Sequence, residues 1–494
     1  MKISIVTSEA VPFAKTGGLA DVIGALPKAL KNLNKRNKIC VFLPYYSQIM
    51  DTEKYKTKVV KTDLWISVGY DCKGFAVRKY KDENGIEFYF IENEYYFGRP
   101  EVYGPSHDGY FDNGERFLFF SQAVLLAMQV LDIKPDIIHT NDWATALVPV
   151  YMQVNADFRA FFEGTKTVFT IHNIDYQGIF SKEIMNISNI PWTEFTQQKL
   201  EFYDAVNSLK AGINYSDVIT TVSKKYSQEI QENGWISRGL EGVLREKKEK
   251  LFGIVNGIDC ETWNPKTDKF IAENYTDKIL KNKAKCKADL QAIFNLEIKE
   301  DVVVLAIVSR LVKNKGFDII KSSIEEILCL NQNLQLVLLG TGELEFVDFF
   351  NYIAQKYGNR VSINIKFDNK LAHKIYAGAD VLLMPSTSEA CGLSQLISFR
   401  YGTLPIVNPV GGLFDTVQDY NDKTKEGTGF ALKEYSHYGL VCEVKRALEL
   451  YQSKPKWSKL VKNIMQLDCS WDNAAREYLE IYKSLLKLKG ENSL

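Results

Sequence analysis

The stretch Ser8-Glu-Ala-Val-Pro-Phe-Ala-Lys15-Thr-Gly-Gly-Leu-Ala-Asp21-Val22 decides how the chain is read. Before it, Ile3, Ile5 and Val6 belong to a short apolar run that reads as a buried strand. After it, Val22, Ile23, Leu26, Leu30 and Leu33 recur at helical spacing. Strand, glycine-rich turn and helix is the arrangement that aims free backbone N–H groups and a helix N-terminus at an anion. Gly17 and Gly18 let a ligand approach the backbone closely, and Lys15 adds a positive charge at the turn. The glycine spacing of a dinucleotide fingerprint is absent, and Lys15 precedes the glycines, unlike the lysine of a Walker loop. On the glycines alone, a tight strand-to-helix connection with a solvated lysine is an equal reading.

Around this stretch lie 494 residues, too many for one core, so two domains are expected. Lys+Arg and Asp+Glu balance at 61 each, which gives no sign of a nucleic-acid partner or an anionic membrane. No apolar run is long enough to span a bilayer. The chain starts on a strand rather than on a signal-peptide pattern, and its eight cysteines include no C-x-x-C pair. A reduced cytoplasmic protein without a metal site is the expectation. Aromatics make up 12% of the chain, which suits a carbohydrate binder and equally an ordinary core.

Ile39 to Leu43 reads as a second buried strand. Between Tyr55 and Glu92 the apolar period becomes two, and Asp82-Glu-Asn-Gly85 marks a hairpin, so an antiparallel insertion is expected. Asp112-Asn-Gly-Glu-Arg-Phe117 opens a helix. The strand in Pro135–Trp143 ends in polar residues. In a parallel sheet, ligands sit beyond such strand ends, which makes His139, Asn141 and Asp142 candidates. The same holds for Thr167–Ile171, followed by His172 and Asn173. A second series starts at Val302–Ile307 and continues through Leu336–Leu339, Val361–Ile365, Asp380–Met384 and Pro405–Val407. Strands and helices alternate in both halves, so the fold expected is α/β with two doubly wound domains. The lysines between Lys278 and Lys287 read as a solvated helix face. Arg310 and Lys315, five apart after one strand, could grip a diphosphate without a metal, or be two solvated loop cations. Gly392, Leu393 and Ser394 open a helix and offer N–H groups to phosphate; Glu389 lies just before them.

Many of these strings resemble the bacterial glycogen synthases and plant starch synthases. They include Lys15-Thr-Gly-Gly-Leu-Ala-Asp-Val22, His172-Asn-Ile-Asp-Tyr-Gln-Gly178 and Gly253-Ile-Val-Asn256-Gly-Ile-Asp259. Further matches are Ser309-Arg310-Leu with Lys315-Gly316, and Glu389-Ala-Cys-Gly-Leu-Ser394. They run in the family's order from Lys2 to about Leu488. The resemblance implies the GT-B fold, two Rossmann-like domains facing a central cleft. Residues 1–255 would form a glucan-acceptor domain and 256–470 a nucleotide-sugar domain, with 471–494 a helix crossing back to the first.

By the same resemblance, Arg310 and Lys315 hold the donor diphosphate, Lys15 contacts its phosphates, and His172 contacts the transferred sugar. Glu389 lies at the reacting sugar. Gly18, Asn256, Gly392, Leu393 and Ser394 would bind the nucleotide, and Asp21, Asn141 and Asp142 are candidates for the sugar or acceptor. The implied reaction moves glucose from ADP-glucose to the non-reducing end of an α-1,4-glucan, with retention, no cofactor and no metal. ADP rather than UDP follows from the family type alone. The alternatives are a transferase or epimerase for another nucleotide sugar, or a weakly catalytic paralogue that binds glucan. Two departures from the family bear on the last reading. Thr387, Ser388 and Ala390 replace Arg, Phe and Pro around Glu389, and Asn408-Pro409-Val410 replaces a string that usually carries an Arg. On that reading Asn408 removes a cation from a loop lining the donor pocket.

Overall fold

The computed structural model describes residues 1–105 and 109–491, with side chains to residue 487. The last three residues of the expected terminal segment 471–494 thus lie outside it. Met1–Asn256 and Trp471–Leu494 form one compact unit, and Gly257–Ser470 the other.

The first unit holds strands β1 (Lys2–Val6), β2 (Lys38–Pro44), β3 (Lys58–Val68), β4 (Asp71–Lys81), β5 (Glu87–Glu92), β6 (Ile137–Asn141) and β7 (Lys166–Ile171). It also holds β8 (Ile179–Ser181), β9 (Glu201–Phe202), β10 (Ala205–Asn207), β11 (Val218–Thr221) and β12 (Leu251–Gly253). Nine of them form one sheet in the order β12-β11-β7-β6-β1-β2-β5-β4-β3. Only the β3–β4 and β4–β5 pairs are antiparallel, which puts the expected insertion at one edge of a parallel sheet. Inner parallel strands such as β1 and β2 read as continuous apolar runs because both faces are covered. Ile3 and Ile5 of β1 pack with helix Gly18–Leu33 and the terminal helix Asp472–Glu491, while Val6 points to the core of helix Asn113–Val130.

The second unit holds β13 (Val303–Val308), β14 (Leu334–Gly340), β15 (Val361–Ile365), β16 (Val381–Met384), β17 (Leu404–Val407) and β18 (Phe430–Ala431), ordered β15-β14-β13-β16-β17-β18 and all parallel. In each sheet the chain winds outward in both directions from a central switch point, β1/β6 in the first and β13/β16 in the second. Loops leaving the strand ends at a switch point diverge and leave a crevice for a ligand. That rule selects the loops after β1, β6, β13 and β16.

Two readings are corrected. The lysines of helix Lys281–Ile293 are not all solvated. Lys287 is buried, 2.7 Å from Asp380, and donates to Tyr451 Oη and the Glu300 carbonyl. Lys283 donates to the carbonyls of Ala377 and Tyr401 and to Thr403. A lysine can join a core when every N–H finds an acceptor, and no helical-period argument distinguishes it from its solvated neighbours. His139 is likewise structural. It is fully buried within β6, with Nδ1 2.7 Å from Tyr482 Oη and Nε2 2.6 Å from Thr170 Oγ1. Burial holds its pKa down at about 3, so the ring is a neutral anchor for the terminal helix.

Candidate active site

In the first unit the switch-point loops are organised by Glu9, a residue the sequence reading passed over. Its side chain is buried and accepts hydrogen bonds from Thr16 N–H at 2.5 Å, Gly17 N–H at 3.1 Å, Thr16 Oγ1 at 2.8 Å and Tyr103 Oη at 2.9 Å. The expected free N–H groups of the glycine turn are therefore partly engaged by a protein carboxylate. Glu9 could have been suspected as the one carboxylate between a buried strand and the glycine turn. Gly17 has extended backbone, and a side chain there would meet open space. Nothing within the protein itself demands a glycine. Lys15 is half-exposed and ion-paired to Asp21 at 2.7 Å in the first turn of the helix that begins at Gly18.

After β6 and β7, three groups interlock. Asn141 is buried; its Nδ2 donates to the Val6 carbonyl at 3.1 Å, which turns Oδ1 toward His172 Nε2 at 2.9 Å. Since Oδ1 only accepts, His172 Nε2 carries the proton and Nδ1 is left as an acceptor. Burial lowers the pKa of His172 to about 3, so the ring is neutral. Asp142 Oδ1 accepts the His172 backbone N–H at 2.7 Å. Burial raises its pKa to about 7, opposed by the N–H groups of His172 and Asn173 and reinforced by the charge of Glu9. Asp142 has φ 54° and ψ −179°, a region that nearly only glycine occupies. Strain is thus stored at the strand end. Asn141 orients His172 rather than facing outward, whereas His172 and Asp142 remain part-exposed. Asn256, the last residue of this unit's main segment, is buried with Oδ1 unpartnered, and such an atom calls for a water or a ligand.

In the second unit, the loop after β13 carries Arg310 and Lys315, and the loop after β16 carries Glu389. Lys315 Nζ lies 2.5 Å from Glu389 Oε2, and Ser386 Oγ donates to the same oxygen at 3.2 Å. The Arg310 side chain is exposed and has no hydrogen-bond or ion-pair partner among the described residues. The Thr387 N–H donates to the Asn314 carbonyl at 3.0 Å, tying the two loops together. Gly316 at φ 81° lets them approach, since a Cβ there would fall 2.1 Å from the Pro385 carbonyl oxygen. Gly392 also has positive φ, 72°, and the helix Ser394–Arg400 that follows Leu393 has no side-chain cap.

The loop after β17 buttresses Glu389 from behind. Gly411, at φ 44°, sits where a Cβ would lie 1.9 Å from the Glu389 carbonyl oxygen, so glycine is required. Asn408 is buried and donates from Nδ2 to the Ser386 carbonyl at 2.8 Å. It does not stand open on a pocket wall as expected; it fixes the segment that bears Ser386 and Glu389. Among the described residues no group of three or more His, Cys, Asp or Glu could hold a metal ion, and no helix is long and apolar enough to cross a membrane.

Residues 2–246 match the family described as starch synthase catalytic domain, and residues 290–464 match glycosyl transferases group 1. The catalytic domain of Arabidopsis thaliana starch synthase IV, solved with ADP and acarbose, superposes with a TM-score of 0.89 at 31% identity, covering 98% of this chain and 99% of that one. Sucrose-phosphate synthase from Thermosynechococcus elongatus shares the fold alone, with a TM-score of 0.58 at 17% identity over 99% of both chains. The protein is a glycosyltransferase of the GT-B class, built from two Rossmann-like domains. Glycogen synthase from Alkaliphilus metalliredigens is 42% identical over 98% of this chain and its own full length; that from Caldicellulosiruptor bescii is 44% identical over the same shares. The chain belongs to the glycogen synthase family.

Proposed function

We propose that this protein transfers glucose from ADP-glucose to the 4-hydroxyl at the non-reducing end of an α-1,4-glucan, with retention of configuration. The observation that carries the reading is the Lys315–Glu389 pair at the β13/β16 switch point, with the Arg310 guanidinium exposed on the same loop as Lys315. It is supported by full-length identity above 40% to glycogen synthases and by a 31% identical starch synthase solved with ADP and acarbose.

In this reading Arg310 and Lys315 receive the donor diphosphate, and the charge leaving with ADP is neutralised by an Arg fork and a Lys point charge. The N–H groups at Gly392, Leu393 and Ser394 add dipoles of the same sign. Lys15 is a further phosphate contact, released from Asp21 when donor binds, and Asn256 and Gly18 complete the nucleotide contacts. His172 presents its unprotonated Nδ1 to a hydroxyl of the transferred glucose. Glu389, once Lys315 turns to phosphate, balances the positive charge that develops on the sugar. Asp142, set at a strained strand end, orients the acceptor or the sugar. No cofactor and no metal enters these steps. Incubation with radiolabelled ADP-glucose and glycogen tests the reading: label should enter the polymer and be released by an exo-acting α-1,4-glucosidase. Label from UDP-glucose alone would replace the donor; label from neither would reject the transfer.

A further inference from the structure

We infer that Tyr203, Trp235 and Tyr176 form a docking platform for an α-glucan chain, separate from the reacting groups; the choice of glucan rests on the reading above.

Strands β9 and β10 pair antiparallel, Phe202 opposite Ala205, leaving Tyr203 and Asp204 as a two-residue hairpin loop. Their φ values are 53° and 64°. Positive φ at both positions defines a type I′ turn, which favours Asn-Gly or Asp-Gly. A bulky residue at positive φ is an outlier. Among the described non-glycine residues with positive φ, most are Asp or Asn, and Tyr203 is the one aromatic. The turn gains nothing from burying that ring, because Tyr203 is 83% exposed. Folding alone thus argues against tyrosine here, and contact with something outside the chain is the physical reason for it.

The ring is nevertheless held. It packs edge-on against Phe202, centroids 4.7 Å apart. Gly239 lies close to both rings, since a Cβ there would be 3.1 Å from Phe202 and 3.9 Å from Tyr203. Its neighbour Arg238, also at positive φ, stacks over Trp235 at 5.1 Å and pairs with Asp175 at 2.7 Å. Gln177 Nε2 donates to the Ser237 carbonyl. Trp235 and Tyr176 are 57% and 50% exposed. Three exposed rings therefore stand on segments cross-tied to one another, with strained backbone at two of the ties.

The chemistry favours a sugar polymer. The ion pairs Arg238–Asp175 and Lys182–Asp204 stand beside the rings. Rigid rings flanked by charged groups match pyranoses, whose C–H faces stack while their edges donate and accept hydrogen bonds. The segment carrying Tyr176 also runs on directly from His172, four residues before it.

Affinity electrophoresis of the full chain in glycogen-containing native gels tests this. Tyr203→Asn places a residue that the turn prefers, so thermal stability should hold or rise while glycogen affinity falls by about 5-fold or more. Trp235→Ala should weaken binding to a similar degree, and Tyr352→Ala, an exposed ring in the other unit, should not. The platform is overturned if wild type does not bind glycogen, or if both platform variants bind within about 2-fold of it. Transfer from ADP-glucose, measured alongside, separates the two readings. Tyr203-dependent binding without transfer refutes the transferase and keeps the platform. Transfer with Tyr203-independent binding does the reverse.

Discussion

Lys315 Nζ lies 2.5 Å from Glu389 Oε2, and the pair joins the two loops that diverge at the switch point of the second unit. Both side chains are largely screened from water, at 22% and 12% exposure, so the pair is stronger than a surface bridge. In the proposed reaction the diphosphate competes with Glu389 for this ammonium. Donor binding then frees the carboxylate at the moment the sugar arrives.

The first prediction follows from that exchange. Replacing Arg310 or Lys315 by Ala should lower turnover with ADP-glucose by ~30-fold to ~1000-fold, the usual effect of losing one donor aimed at developing negative charge. Glu389→Gln should abolish transfer while leaving ADP affinity close to wild type, measured by calorimetry. Near-normal kinetics in both cation variants would remove them from the diphosphate.

Asn408 supplies the second. Asn408→Ala strands the buried Ser386 carbonyl and should destabilise the protein by about 1–2 kcal/mol, with a fall in kcat as Glu389 loses its support. Asn408→Arg should not raise activity, because the longer side chain has to leave the buried strut position at 9% exposure. A rise in kcat/KM with Arg would show that a cation at that position outweighs the strut.

The third uses the raised pKa of Asp142, about 7 when folded against about 4 in an unfolded chain. Between those values the folded protein retains a proton that the unfolded chain has lost. This group therefore favours the fold at low pH, and its contribution fades as pH rises through 7. Asp142→Asn keeps an acceptor for the His172 N–H and nearly the same side-chain size at the strained position. Relative to wild type it should gain roughly 1–2 kcal/mol between about pH 5 and pH 8, discounting for partial exposure. A difference independent of pH in denaturant titrations contradicts the assignment.

His172 gives the fourth. Its pKa near 3 keeps the imidazole neutral above about pH 5, with the proton on Nε2 facing Asn141. Nitrogen NMR of selectively labelled protein should show that tautomer throughout. A ring titrating near the usual histidine value would undo the role of Nδ1 as acceptor.

The inner strands of each sheet were legible because both of their faces are buried, which turns them into unbroken apolar runs such as Val302–Ile307. The switch-point loops stood out through the resemblance to the glycogen and starch synthases, since glycine and cation spacing alone left a structural reading equally open. What escaped depends on three-dimensional pairing. Glu9 belongs to no motif with a chemistry of its own, yet it takes up the N–H groups of Thr16 and Gly17. Lys287 shares a charged helix with solvated lysines and differs only in having Asp380 beneath it. Strands β8 to β10 have two or three residues each, too few for a period to show. Asn408 read as a lost charge because the sequence has no way to show that its amide reaches the Ser386 carbonyl.

The most direct test of the account is transfer by the purified protein from radiolabelled ADP-glucose to glycogen, with and without EDTA. The account predicts incorporation as α-1,4-linked glucose at the same rate in both, abolished by Glu389→Gln. No incorporation by the wild type, or incorporation only when divalent metal is present, would contradict it.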